Sequence, residues 1–157
     1  MTNRIAKERR AAMIPHEPGL RVQVVWFDED VLDLEISASN GLFSGQTRVY
    51  TGREGIKELA RLVKGFPQSP DERRLIEIGT FDPGFAGGGA RLGLRCTDRA
   101  GHVALDVLLA TQVENHRHQR VECCLEVEPA ALDSFFSQID RLEIRKDASV
   151  VLKCCNR

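Results

Sequence analysis

Apolar and polar residues alternate through the first third of the chain, and this pattern predicts β-strands. The apolar run Val22–Phe27 ends at the charged residues Asp28–Asp30, and polar residues then separate the apolar positions of Val31–Ile36. Successive side chains of a strand point to opposite faces, so the two segments are expected to form a hairpin. Asn40–Gly41 supplies a turn with positive φ, and Leu42–Tyr50 is predicted to be a third strand.

An amphipathic helix is predicted to follow the third strand. Thr51 and Glu54 have the spacing of a capping box, in which the threonine hydroxyl accepts from the amide three residues on and the glutamate reaches back. Pro67 is expected to end the helix because proline has no amide hydrogen. The apolar side chains of its buried face recur at helical spacing: Ile56, Leu59, Ala60, Val63 and Phe66.

The second half of the chain repeats this order of strands followed by a helix. A short strand, LIEIGTF at 75–81, precedes a glycine-rich segment at 79–89, and a hairpin at 90–112 turns at Asp98–Gly101. Residues 117–128 are the next predicted strand, and SVVLKCC at 149–155 is a predicted final strand. A second helix begins near Pro129, and its apolar stripe comprises Leu132, Phe135, Phe136, Ile139 and Leu142.

These elements predict an α+β fold in a single domain. Its main part is an antiparallel β-sheet of six to eight strands in hairpins and meanders, with the two amphipathic helices packed on it. Residues 1–19 are expected to form a flexible N-terminal tail, and residues 20–157 the domain. Within the domain, residues 67–89 are interpreted as a loop-rich insertion.

Composition and charge limit the classes of function that the sequence supports. The chain has 157 residues, of which 42% are hydrophobic and 29% charged, with 22 basic and 23 acidic residues. This balance argues against a nucleic-acid partner, because proteins that bind nucleic acids normally carry an excess of basic residues on one face. No apolar run approaches the roughly 20 residues that cross a bilayer, so no membrane association is expected. The five cysteines lack the C-x-x-C spacing and favour free thiols in a cytoplasmic protein.

The glycine-rich segment GTFDPGFAGGGARLGLR at 79–95 is the first candidate for chemistry. A phosphate-binding loop needs a helix N-terminus after the glycines, and the nucleotide versions add Lys with Ser or Thr. Here a predicted strand follows the glycines, and the sequence contains no Gly-Lys-Ser/Thr. The segment is therefore interpreted as a flexible loop between strands, and no cofactor is expected.

The histidines and cysteines also favour structural roles. Glu114, His116 and His118 share one face of a strand and, with a nearby cysteine, resemble a partial zinc site, but the polar crest of a hairpin is the better interpretation. His102 follows a turn glycine, and its ring nitrogen is expected to bond to that turn. The pairs Cys123–Cys124 and Cys154–Cys155 should alternate faces, with one buried thiol in each pair. No catalytic and no metal-binding residues are therefore assigned.

Several segments together resemble a known family. LDLEISASNGLFSGQTRVYTGREGIKELARLVKGF, RLGLRCTDRAGHVALDVLL and LEVEPAALDSFFSQI, within residues 31–140, are similar to a family of small bacterial proteins that is largely of unknown function. This family overlaps the immunity proteins that accompany WapA-type contact-dependent toxins. The resemblance implies no catalytic residues. The positions that match the shared pattern are Gly41, Phe43, Ser44, Gly45, Gly101 and His102.

The residues thus favour a non-enzymatic protein-binding domain, and the resemblance implies an immunity protein whose partner is a cognate toxin. Such a protein acts through surface complementarity and charge, and it is expected to be a monomer or weak homodimer. One alternative is a small-molecule site near Trp26, Phe43 and Phe135, and another is an enzyme that uses His102 with an acidic neighbour. The candidate partner-binding residues are Asp28, Glu29, Asp30, Glu114, His116 and His118.

Overall fold

A computed structural model describes residues 17–111 and 118–155 of the chain. It confirms an α+β fold in a single domain with antiparallel strands. Residues 1–16, most of the predicted N-terminal tail, lie outside the described ranges. The elements are β1 (Gly19–Phe27), β2 (Val31–Ser39), β3 (Ser44–Gly52), α1 (Arg53–Val63), β4 (Arg73–Gly79), β5 (Gly89–Cys96), β6 (Val103–Thr111), β7 (Gln119–Val127), α2 (Pro129–Asp140) and β8 (Ser149–Lys153).

The eight strands of the described ranges divide into two four-stranded antiparallel sheets. Sheet 1 has the order β3-β2-β1-β8, and sheet 2 has the order β4-β5-β6-β7. In sheet 2 every strand pairs with its neighbour in sequence, whereas β8 returns from the end of the chain to pair with β1. The predicted loop-rich segment 67–89 contains β4.

One hydrophobic core is shared by both sheets and both helices. Alternate residues of β1 and β5, such as Val24 and Leu94, point inward, and the predicted helix stripes place Ile56 and Phe135 in the same cluster. Helix α1 packs against α2 and β4, and α2 packs against β8. The apolar periodicity of the sequence is therefore satisfied by a single core between the layers. No helix in the described ranges is long and apolar enough to cross a membrane.

The predicted capping box at the start of the first helix is wrong. Helix α1 begins at Arg53, its N-cap is Gly52, and no side chain caps it. Thr51 instead lies opposite Leu32 in β3, because the pairing of β3 with β2 continues to Gly52. The extended backbone required by the strand thus takes precedence over the local capping preference.

Strand β3 runs across one end of sheet 2 and contacts all four of its strands. Near the start of β3, a Cβ atom at Gly45 would lie 2.4 Å from Val121 of β7. Further along, the Thr47 hydroxyl donates to the Ala110 carbonyl of β6 at 2.7 Å, and Val49 packs on Gly79 of β4. The pairing of β3 with β2 has a regular register, so no bulge requires a glycine at position 45. The close approach of the two sheets therefore explains Gly45.

The glycine-rich segment is confirmed as a connection between strands, but its glycines have a specific packing role that the interpretation as a flexible loop missed. The Gly88 amide donates to the Arg48 carbonyl of β3 at 2.7 Å. A Cβ atom at Gly88 would lie 2.1 Å from the Thr47 hydroxyl, and one at Gly87 would lie 2.6 Å from the Tyr50 ring. The glycines allow the β4–β5 loop to lie directly against β3.

Candidate functional site

The acidic turn between β1 and β2 is held by its own first residue. The Asp28 carboxylate accepts from the amides of Asp30 and Val31 at 2.8 and 2.7 Å. These backbone hydrogen bonds lower the pKa of Asp28 below its ordinary value. Glu29 and Asp30 are exposed and form no ion pair with any residue in the described ranges. Asp28 therefore shapes the turn, while the other two carboxylates are presented to solvent.

Arg53, the first residue of α1, fixes this turn to the body of the protein. Its guanidinium donates to the Asp28 carbonyl at 2.9 and 3.2 Å. It also lies over the Phe27 ring, 5.6 Å from the ring centroid, which is within the range of a cation–π contact. Because Arg53 holds both the Asp28 carbonyl and the Phe27 ring, the carboxylates of Glu29 and Asp30 project from an ordered loop.

Two exposed aromatic side chains lie next to the acidic turn on the outer face of sheet 1. Trp26 is opposite Asp33 of β2, and Asp33 is opposite Tyr50 of β3, so the three form one row across the strands. Trp26 and Tyr50 are 52% and 45% exposed, whereas Asp33 is only 4% exposed. The two aromatic residues are two strand spacings, roughly 10 Å, apart.

A charged pair joins this row to the next one, because Arg48 of β3 lies opposite Glu35 of β2 and reaches across to Asp33. The Arg48 guanidinium donates from Nε to Asp33 Oδ1 at 2.8 Å and from Nη2 to Asp33 Oδ2, a bidentate arrangement. This hydrogen bonding raises the pKa of Arg48 above its ordinary value. The Arg48 side chain remains half-exposed. We refer to Trp26, Asp33, Arg48 and Tyr50 as the Trp26–Tyr50 face.

The second predicted contact region is separate from the first. Glu114 and His116 lie outside the described residues, and His118 is exposed beside a shallow cavity of about 310 Å³. The acidic turn lies near Gly52 at the end of β3, whereas the β7 end of sheet 2 packs near Gly45. Seven residues of β3 separate these points, roughly 24 Å. The structure therefore does not bring His118 together with the acidic turn.

His102 has the predicted bond to its turn. Its Nδ1 lies 2.5 Å from Asp98 Oδ2, and this hydrogen bond lowers the pKa of Asp98. A small cavity of about 50 Å³ next to them is also lined by Cys155, whose thiol donates to Glu128 at 3.5 Å. The ring nitrogen of His102 is engaged by Asp98 of its own turn, so this geometry gives His102 a structural role in the turn.

The aromatic residues suggested for a small-molecule site do not converge. Phe135 is buried in the core, while Trp26 and Phe43 are exposed. Trp26 pairs near the acidic-turn end of the β1–β2 ladder, and Phe43 follows its other end, where Gly19 pairs with Ser39. A ligand cannot contact all three, because the β-hairpin separates two of them and the core encloses the third.

The two cysteine pairs converge although they are distant in sequence. Cys123 is buried and Cys124 is exposed, which confirms the predicted alternation on β7; Cys154 and Cys155 are both half-buried. Burial, followed by the neighbouring thiols of Cys155, Cys123 and Cys124, raises the pKa of Cys154 to about 11. All five cysteines are free. Within residues 17–111 and 118–155, no three His, Cys, Asp or Glu side chains are arranged to hold a metal ion.

Sequence reasoning identified the acidic turn but missed the residues beside it. Asp33, Arg48 and Tyr50 look like ordinary polar positions of alternating strands. Only the register of β1, β2 and β3 places Asp33 and Tyr50 in one row with Trp26, with Arg48 in the adjacent row. The burial of Asp33, which makes a cationic partner necessary, is visible only in the structure.

No family model, curated protein or solved structure matches the chain.

Proposed function

We propose that the chain is a non-enzymatic protein-binding domain that acts as an immunity protein and neutralises a cognate bacterial toxin by direct binding. The observation that supports this proposal is the Trp26–Tyr50 face beside the exposed carboxylates of Glu29 and Asp30. Trp, Tyr and Arg are the residues most enriched among those that dominate binding energy at protein interfaces. Their position on a sheet, next to a turn fixed by Arg53, favours a preorganised contact surface.

The charges of this surface select the class of partner. Glu29 and Asp30 carry two carboxylates without ion pairs in the described part of the chain. A basic surface on the partner would complement them, increase the rate of association and be sensitive to salt. Trp26 and Tyr50 would occupy apolar depressions on that partner, and the half-exposed guanidinium of Arg48 would bind a polar group beside them.

The proposal predicts that a toxic domain is encoded beside the gene for this chain, and that domain is the partner used in the test. That domain is expressed alone and together with the chain, and growth is measured; the purified pair is then studied by calorimetry. We expect rescue of growth and a 1:1 complex. Replacing Trp26 and Tyr50 by Ala should weaken the complex by about 30-fold or more, which corresponds to about 2 kcal/mol at an interface hot spot.

Matched variants separate the interface from general surface effects. Leu42 is 87% exposed in the turn at the other end of sheet 1, and Leu42→Ala should leave affinity unchanged. Glu29→Gln with Asp30→Asn should lower the association rate mainly at low salt. Absence of both a complex and rescue would overturn the proposed function. An affinity that depends equally on Leu42 and Trp26 would show that the surface is assigned wrongly.

A further inference from the structure

The outer face of sheet 2 contains a groove of about 390 Å³ over the middle of the sheet. Its floor is Gly93 of β5, with Leu75 of β4 on one side. Three arginines of β4 and β5 are among its lining residues: Arg73, Arg91 and Arg95. The groove lies on the sheet face opposite the core, so the packing of the domain does not require it.

Gly93 is not required by the fold. It lies inside β5 and does not have a positive φ, and a Cβ atom there would meet its nearest neighbours at 3.7–3.8 Å, which is ordinary van der Waals contact. Gly45, by contrast, would place its Cβ atom 2.4 Å from Val121. A glycine inside a strand weakens the strand relative to alanine and often marks a position that a ligand approaches closely.

The arginines of the groove are not all neutralised by the protein. Arg73 lies directly opposite Arg95 in the β4–β5 ladder, an arrangement that destabilises a sheet because like charges repel. Arg95 is bound by Asp106 at 2.7 and 3.2 Å, and Arg91 by Glu77 at 2.6 Å. Arg73 is exposed and forms no ion pair with any residue in the described ranges.

The other lining residues determine how a ligand would be oriented in the groove. Leu75 is 65% exposed, and its Cδ1 would lie 3.8 Å from a Cβ atom at Gly93, so an apolar wall borders the flat glycine floor. Glu122 of β7 lines the opposite side, facing Leu108 of β6. Asp106 of β6 also lines the groove, directly opposite Gly93. A negative group is therefore favoured beside Arg73 on the β4 side and disfavoured towards β6 and β7.

We propose that this groove binds a small organic anion, a carboxylate or phosphate attached to a flat apolar body. The anionic group accepts hydrogen bonds from Arg73, which has no ion pair in the described ranges, whereas Arg95 beside it is bound by Asp106. The apolar body lies on Gly93 against Leu75. This inference is independent of the proposed toxin-binding function, and it moves the small-molecule site away from Trp26, Phe43 and Phe135.

The test uses phenyl phosphate and benzoate as probes, titrated into the full-length protein and followed by amide chemical shifts. We expect shifts centred on Leu75 and Gly93 with at least one of the two probes. Gly93→Val fills the groove with a residue that favours strands, and Arg73→Gln removes the free cation. Each variant should weaken the binding of that probe by about tenfold, the loss expected for one charge-assisted contact or a blocked floor.

Three controls make the test decisive. Benzyl alcohol lacks the anion and inorganic phosphate lacks the ring, so both should bind more weakly than phenyl phosphate if that probe binds. Trp26→Ala should leave probe binding unchanged, which separates this site from the proposed partner surface. The proposal is overturned if neither probe shifts the amides of β4 and β5, or if a folded Gly93→Val variant binds as tightly as the original protein. Equal affinity for inorganic phosphate and phenyl phosphate would overturn the assignment of an organic ligand.

Discussion

We expect the same alanine substitution to destabilise the protein at Gly88 and to stabilise it at Gly93. At Gly88 the new Cβ atom would lie 2.1 Å from the Thr47 hydroxyl and 2.3 Å from the Ala110 carbonyl oxygen. These two atoms form a hydrogen bond that ties β3 to β6 at 2.7 Å. Overpacking and the loss of this bond together should cost about 2–3 kcal/mol.

At Gly93 the expected change in stability has the opposite sign, because a Cβ atom has room there and the backbone does not need a positive φ. Alanine restricts the unfolded chain more than glycine does, so Gly93→Ala should add about 0.5–1 kcal/mol of stability. A chain of this size changes its Tm by about 2–4 °C per kcal/mol. The two variants should therefore differ in Tm by roughly 5–15 °C.

Urea unfolding followed by far-ultraviolet circular dichroism, with calorimetry for Tm, measures both effects. The m-value should stay unchanged, because neither substitution alters the surface exposed on unfolding. If Gly88→Ala is as stable as the original protein, β3 does not lie against the β4–β5 loop as described. If Gly93→Ala is destabilised, the fold needs that glycine and the argument for a binding groove loses its basis.

Two further predictions concern charge and thiol chemistry. Arg48→Ala leaves the carboxylate of Asp33 buried without its partner and should lower the free energy of unfolding in urea by about 2 kcal/mol. Adding Asp33→Asn should recover part of this loss. Equal stability of Arg48→Ala and the original protein would contradict the paired geometry. The raised pKa of Cys154, about 11, keeps its thiol protonated, so its alkylation by iodoacetamide at pH 8 should be about 100-fold slower than in denaturing urea. Its rate, followed by mass spectrometry, should keep rising to about pH 11, and a plateau near pH 9 would refute the burial argument.

Local signals in the sequence predicted most elements and some of the side-chain contacts. The apolar stripe of α1, including Ile56 and Val63, is buried as its spacing indicated. The bond of His102 to its turn was also predictable, because its partner Asp98 lies only four residues away. The capping role of Thr51 failed because it depended on where β3 ends, and pairing with β2 decides that.

The candidate sites were not predictable in the same way. Arg73 and Arg95 are separated by the β4–β5 loop, and nothing in their local sequence shows that they face each other. The free energy of sheet pairing comes from contacts between distant segments, and a shift of one residue would turn these side chains to the other face.

The sequence by itself determined which segments form strands and helices, but not where each one ends, because side-chain periodicity and backbone preference act over a few neighbouring residues. The tertiary structure alone decided that the strands divide into two sheets. It also placed Trp26 and Tyr50 on either side of Asp33 and left an open floor at Gly93. Both surfaces depend on strand register, which is fixed only when the whole core packs.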